Sequence, residues 1–237
     1  MSDQRQAQLP EAEQTEKPAA LIEWLMLVGL LSAILFLFLF ARLAGEMREG
    51  ETAGFDLAVR GWIHQFASPA MTQVMKAISL LGYDLLILEL VIAVAIFLRL
   101  RWRRAAAWLA ITMTGAVALD VTLKHAFHRS RPVPFFGDAP HSYSFPSGHA
   151  LASFCFYGAL AGLIAHRLDN MALKVTVGLI AAVLVLAIGV SRIYLGVHYP
   201  SDVVAGYLAA AMWVSTMLVI DRAGTRVVAR RRKRRLA

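Results

Sequence analysis

The chain has 237 residues, 58% of them hydrophobic and 17% charged, and its mean hydropathy is +0.58. A water-soluble domain of this size is only about half apolar. Here the excess falls in blocks of about 20 residues, enough to cross a hydrocarbon core roughly 30 Å thick, which excludes an ordinary soluble domain and leaves no room for a separate one. The net charge of +8 gathers at the ends of the apolar blocks, with no accompanying nucleic-acid-reading module, so no nucleic-acid partner is expected.

In chain order, residues 1–20 are polar, rich in Gln, Glu and Ala, and are expected to be disordered. The apolar run from Trp24 to Ala41 has no basic start before it and is too long for a signal-peptide core, so it predicts a retained first helix. Six spans are predicted, at 21–43, 84–100, 105–127, 147–166, 172–192 and 201–221. The fold class is therefore all-α: a polytopic membrane protein with six transmembrane helices in one bundle over residues 21–221. Between the first two spans, Leu57, Ile63, Phe66, Met71, Val74, Met75 and Ile78 are spaced irregularly, with breaks at Gly54, Gly61 and Pro69. This stretch predicts short interfacial helices with Trp62 near the headgroups. Cys155, the single cysteine, lies within an apolar block and reads as a small buried residue; it permits no intramolecular disulfide and no cysteine-based metal site. Residues 222–237 form a basic tail ending in the run Arg230 to Arg235, an anchor that attracts anionic lipid headgroups.

Loop charge sets the orientation. Arg99, Arg101, Arg103 and Arg104 join spans two and three, Arg167 and Lys174 flank the link between spans four and five, and Arg222, Arg226 and the tail follow span six. All fall on one side if the N-terminus is there too, which predicts that both termini are cytoplasmic. Lys124, Arg129, Arg131 and Arg192 then sit on the outer side, against the rule. Cations near a span end require compensating partners.

Three stretches meet on that outer side: Lys124 to Pro132, Pro146-Ser147-Gly148-His149, and Ser191-Arg192 through His198 to Asp202. Lys124, Arg131 and Arg192 exceed what a carboxylate needs and suit a phosphoryl group, since arginine forks match phosphate oxygens in pairs and lysine supplies a point charge. Any one of them alone reads equally as a snorkelling interfacial residue. Pro146, Ser147 and Gly148 fit a helix start whose free N–H groups bind anions, and they also fit a plain helix cap. With helix six starting near Pro200, Asp202 in its first turn can reach one imidazole nitrogen of His198, leaving the other free to attack phosphorus. On spacing alone, the same pair reads as a helix cap beside an interfacial histidine. His149, from another helix, is placed to act as a general acid. His149, His198 and Asp202 could also ligate zinc, but three adjacent cations oppose a divalent ion and no carboxylate cluster offsets them, so no metal is expected.

At these residues the chain resembles the type 2 phosphatidic acid phosphatase family, whose core fold is shared with vanadium haloperoxidases. The family pattern is K-x6-RP, then PSGH, then SR-x5-H-x3-D. It is matched at Lys124, Arg131 and Pro132, at Pro146, Ser147, Gly148 and His149, and at Ser191, Arg192, His198 and Asp202. The resemblance covers about residues 50–220. It implies a hydrolase that needs neither metal nor cofactor: His198 forms a phosphohistidine, Asp202 orients it and His149 protonates the leaving group. Lys124, Arg131, Ser147, Gly148 and Arg192 would hold the phosphate oxygens. The implied partner is a lipid phosphate among membrane lipids, met on the periplasmic face of a bacterial plasma membrane. Undecaprenyl diphosphate, phosphatidylglycerol phosphate, phosphatidic acid and the phosphates of lipid A are the substrate classes in view. A lipid phosphotransferase and a non-enzymatic phospholipid-binding membrane protein are the other readings, although binding alone needs no nucleophile. The motifs carry no indication of oligomeric state. Asp120, one turn before Lys124, is a candidate partner for it. His125, His128 and His141 read as loop or interfacial polar groups, and Tyr143, Phe145, Tyr194 and Tyr199 as interfacial anchors or headgroup contacts.

Overall fold

Runs of apolar residues this long leave no buried backbone polar group unpaired along their length when helical, and the computed structural model is helical throughout its regular elements. It describes residues 11–138 and 140–236, with side chains described for 23–138 and 140–225, and no strand occurs among the described residues. The helices are α1 (Glu11–Glu49), α2 (Ala53–His64), α3 (Pro69–Leu80), α4 (Leu86–Arg99), α5 (Arg103–Phe127), α6 (Gly148–Ala165), α7 (Met171–Tyr194) and α8 (Pro200–Leu236). α1 begins at Glu11, so residues 11–20, expected to be disordered, are helical, while residues 1–10 lie outside the described residues. α8 runs on through the basic tail, whose side chains lie outside the described residues from position 226 on.

Five helical segments are long and apolar enough to cross a membrane: Glu23–Glu49, Arg103–Phe127, Gly148–Ala165, Met171–Tyr194 and Pro200–Thr225. The span expected at 84–100 corresponds to α4, which is not among them. Its 14 residues reach only about 21 Å at the helical rise. The turn before α4 is tied to the middle of α6, where Tyr157 Oη donates to Glu89 Oε2 at 2.6 Å and lies 3.0 Å from Leu81 O. The sequence from Gly45 to Tyr83 forms two short helices, as expected. α2 exposes Phe55, Leu57 and Trp62 and buries Asp56 and Arg60 on its other face. α3 starts at a Ser68 cap whose Oγ accepts from Met71 N, with Pro69 at its first position.

From α5 to α8 the long helices alternate in direction, and α1 runs parallel to α5. Phe40 of α1 packs edge-on against Phe127 of α5, and Arg48 donates to Ala126 O, so the C-terminal ends of α1 and α5 lie together. The N-terminal ends of α6 and α8 and the C-terminal end of α7 join them there, since Ser147 N donates to Asp202 O and Val197 N to Arg192 O. At the opposite end Arg104 pairs with Asp221 at 2.6 Å, and Arg167 lies over Trp102. Leu27, Val28, Leu31, Ile34, Leu35 and Phe38 of α1, and Leu179, Ile180, Val183 and Leu186 of α7, are exposed. Apolar surface on this scale requires a bilayer around it. The interior is built from small residues, among them Ala106, Ala116, Ala205, Ala209 and Ala210, which bring the helices close, with Cys155 fully buried between them. Trp213 Nε1 and Tyr207 Oη each donate across a helix pair to a backbone carbonyl, Thr112 O at 2.9 Å and Val185 O at 2.7 Å.

Candidate active site

The buried stripe of α5 reads Ala106, Leu109, Met113, Ala116, Asp120, Lys124. One helical face that packs the core at one end thus delivers an ion pair to the other, where α6, α7 and α8 begin or end. Lys124 Nζ bonds Asp120 and donates to Pro146 O at 3.2 Å. The expected Asp120–Lys124 pair is present, and it is buried. Gly148 faces it from the first turn of α6: a Cβ there would lie 3.0 Å from both Asp120 oxygens and 3.0 Å from Lys124 Nζ, so a side chain would press on the ion pair that glycine leaves room for.

Asp120, Lys124, Arg131, Gly148, His149, Arg192 and His198 all line one cavity of about 730 Å³. His149 stacks on Tyr83, with ring centroids 5.3 Å apart, and its Nε2 is buried without a hydrogen-bond partner among the described residues, as is Ser147 Oγ. Arg192 is held by Ser79 of α3. Arg131 is fixed through Ser142 O at 2.7 Å, Ser142 Oγ at 2.9 Å and Val197 O at 2.9 Å, and its Nη1 stands 3.0 Å from His198 Nε2. Burial lowers the proton affinity of the Arg131 guanidinium, against the pull of Asp202 and Asp120.

These contacts fix the tautomer of His198. A guanidinium only donates, so the Nε2 facing Arg131 carries a lone pair and the proton sits on Nδ1. Nδ1 lies 3.4 Å from Asp202 Oδ2 and 3.4 Å from Ser144 Oγ, and Ser144 donates to that same Oδ2 at 2.5 Å. The serine hydroxyl is thus the shorter of the two contacts to Asp202, and the expected histidine–carboxylate pair is looser than a direct bond. Burial pushes the His198 imidazole down to about 4, Asp202 acts in the opposite direction, and Arg131 and Arg192 reinforce the lowering. The ring is therefore neutral near pH 7, as a nitrogen nucleophile has to be. Gly196, at φ +77°, turns the chain between Arg192 and His198 and brings its Cα against Phe135.

Several neighbours carry no motif of their own. Asp202 Oδ1 accepts from Arg129 at 2.6 Å and Oδ2 from Tyr199 N at 2.8 Å. Arg129 also pairs with Asp56 of α2 at 2.8 Å, and Arg60 donates to Val133 O and Gly196 O. The sequence signal for this group is Arg129 itself, a cation predicted on the outer side and in need of a partner. His125, His141 and Tyr143 line the cavity, while His128 caps α5 in the left-handed region at φ +49°. Tyr194 anchors α3 through Thr72 and Ser68, Tyr199 faces the Arg129 guanidinium at 4.2 Å, and Phe145 is buried in the core.

A neutral histidine facing three clustered cations and a helix N-terminus suits phosphoryl chemistry. Comparison with known proteins agrees at the level of family. Residues 105–225 match the family model of the PAP2 superfamily. The chain is 31% identical over 180 residues to phosphatidylglycerophosphatase B of Bacillus subtilis, covering 73% of this chain and 86% of that protein. It is 29% identical over 193 residues to an undecaprenyl-diphosphatase of Sulfolobus acidocaldarius, covering 78% and 88%. Among solved structures, a transmembrane PAP2-type phosphatidylglycerolphosphate phosphatase from Bacillus subtilis superposes with a TM-score of 0.71 at 26% identity, over 82% of this chain and 95% of that one. With its motifs, helical fold and relatives in agreement, the chain is a phosphate ester hydrolase that belongs to the PAP2 superfamily.

Proposed function

We propose that this protein hydrolyses a phosphomonoester or diphosphate of a membrane lipid through a phosphohistidine, at a site on the outer face of a bacterial plasma membrane, without metal or cofactor. The supporting observation is the pairing of His198 Nε2, unprotonated and 3.0 Å from Arg131 Nη1, with an Asp202-linked Nδ1 on the far side of the ring. The phosphoryl group enters between His198 and Arg131, with its oxygens on Lys124, Arg131, Arg192, Ser147 Oγ and the first N–H groups of α6. His198 Nε2 attacks phosphorus as the bond to the leaving oxygen breaks, and His149 gives that oxygen a proton. Water then attacks the phosphohistidine, releasing inorganic phosphate and restoring the ring. Similarity to a phosphatidylglycerophosphatase and to an undecaprenyl-diphosphatase favours a glycerophospholipid phosphate or undecaprenyl diphosphate as substrate.

The test is inorganic phosphate release by detergent-purified protein in EDTA, on phosphatidylglycerol phosphate, phosphatidic acid, undecaprenyl diphosphate and lipid A, beside His198→Ala. Release by the parent alone is expected, with vanadate inhibiting as a mimic of five-coordinate phosphorus. Activity lost in EDTA and regained with added metal, or equal release by His198→Ala, overturns the mechanism.

A further inference from the structure

We propose that Asp56, on the interfacial helix α2, is a positioning residue for Asp202 and acts through Arg129. The inference rests on the reading of His198 as nucleophile and adds a component from outside the family-matched region, residues 105–225. The Arg129 guanidinium is divided between two carboxylates: Nη1 donates to Asp202 Oδ1 at 2.6 Å and Nη2 to Asp56 Oδ2 at 2.8 Å. Ser201, next to Asp202, ties the other edge. Its Oγ accepts from Arg129 Nη1 at 2.8 Å and donates to Asp56 Oδ2 at 2.7 Å, and its N–H donates to Asp56 Oδ1 at 2.9 Å. Asp56 is 1% exposed and Asp202 0%. Both Asp56 oxygens are therefore engaged with Arg129 or Ser201, and neither faces the cavity.

The electrostatic consequence is specific. Asp202 has to keep negative charge for the His198 ring, which becomes cationic as it bonds phosphorus. Arg129 alone would draw that charge away from His198. Asp56 takes half of the guanidinium's hydrogen bonding, and the Asp56–Arg129 pair is neutral as a unit, so Asp202 retains its hold on Nδ1. Loss of Asp56 leaves the full cation on Asp202, whereas loss of Arg129 leaves Asp202 uncompensated. The two losses push the basicity of His198 in opposite directions. The other charged or titratable groups facing this set are Arg60 and Tyr199 beside Arg129 and Asp56, and Arg131, Arg192, His149 and the Lys124–Asp120 pair around His198 and Asp202; all are retained in the variants below.

The experiment measures kcat, KM and the acid limb of kcat/KM for inorganic phosphate release from the lipid phosphate the parent turns over fastest. Proteins are first checked for a monodisperse gel-filtration profile and for Tm. Asp56→Asn is expected to lose roughly tenfold in kcat with KM little changed, and its acid limb moves down by about half a pH unit. In Arg129→Gln the limb moves up. Because Arg129→Gln strands two buried carboxylates and can unfold, the charge-neutral double variant Asp56→Asn/Arg129→Gln is measured as well, and its limb returns to the parent position. A merely structural pair would change Tm and leave every limb in place. An Asp56→Asn protein with parental kcat and limb overturns the proposal, as does a double variant whose limb follows Asp56→Asn. His198→Ala, run alongside, separates the two levels. Activity surviving in it removes the nucleophile reading itself, whereas an unmoved limb beside an inactive His198→Ala removes the role of Asp56 alone.

Discussion

His149 enters the cavity from the first turn of α6, stacked on Tyr83, with Nε2 buried and unpartnered by any described residue. A general acid matters in proportion to how badly the leaving group needs a proton. A lipid alkoxide needs one, and p-nitrophenolate does not. His149→Gln is therefore expected to lower kcat about 10²–10⁴-fold on a lipid phosphomonoester and less than about tenfold on p-nitrophenyl phosphate. Equal losses on both substrates would reassign His149 to phosphate binding. At this scale the motif residues were legible because each has chemistry that a membrane span otherwise avoids. Asp56, Ser144 and Ser201 were not. Asp56 meets Arg129 from 73 positions away and Ser201 from 145, and nothing in an interfacial stretch separates an inward carboxylate from a solvated one. Only Arg129, a cation on the side that loop charge predicts to be outer, signalled that a partner existed. Ser144 lies close to the PSGH motif, yet its bond to Asp202 depends on how α8 packs against α6.

Among elements, the spans at 105–127, 147–166, 172–192 and 201–221 match helices because hydrophobic length alone specifies them. α4 departs from that rule: its length was read from composition, but its start is fixed by tertiary bonds from Tyr157 to Leu81 and Glu89. The short helix α3 is similarly beyond reach of periodicity, being held from outside. Tyr194 Oη lies 2.9 Å from Thr72 Oγ1 and accepts from Ser68 N at 3.2 Å, and α3 in turn supplies Ser79 to Arg192. Tyr194→Phe deletes both contacts and leaves a donor unpaired, a loss of about 1–3 kcal/mol. For a chain of this size the expected drop in Tm in a mild detergent is on the order of 2–4 °C per kcal/mol, with a smaller fall in kcat/KM through the loosened Arg192. An unchanged Tm would show that α3 is held by its apolar contacts instead.

The whole molecule places its charges at two ends. Lys124, Arg131 and Arg192 line the cavity with Arg129 behind them on Asp202, and Arg99, Arg101, Arg103, Arg104 and Arg167 cluster near the opposite turns. By the positive-inside rule the cavity end faces outward. Counting the short α4 as a sixth pass, the same rule predicts that both termini are cytoplasmic. The chain is well suited to a direct test, because its only cysteine, Cys155, is buried and should not react with an external reagent. Single cysteines at Val133, which is 83% exposed at the cavity end, and at Asp169, in the turn between α6 and α7, report on the two sides. Intact bacteria expressing each variant are treated with a membrane-impermeant maleimide, before and after lysis. Labelling of Val133→Cys in intact cells, and of Asp169→Cys only after lysis, is the expected result. It would mean that the lipid phosphate is met in the outer leaflet and the phosphate released outside. The reverse pattern would put the cavity in the cytoplasm, where the arginine-rich turns would be the exception to the charge rule and the substrate would come from the inner leaflet. Labelling of both sites in intact cells would show no crossing between them, with α6 failing to span.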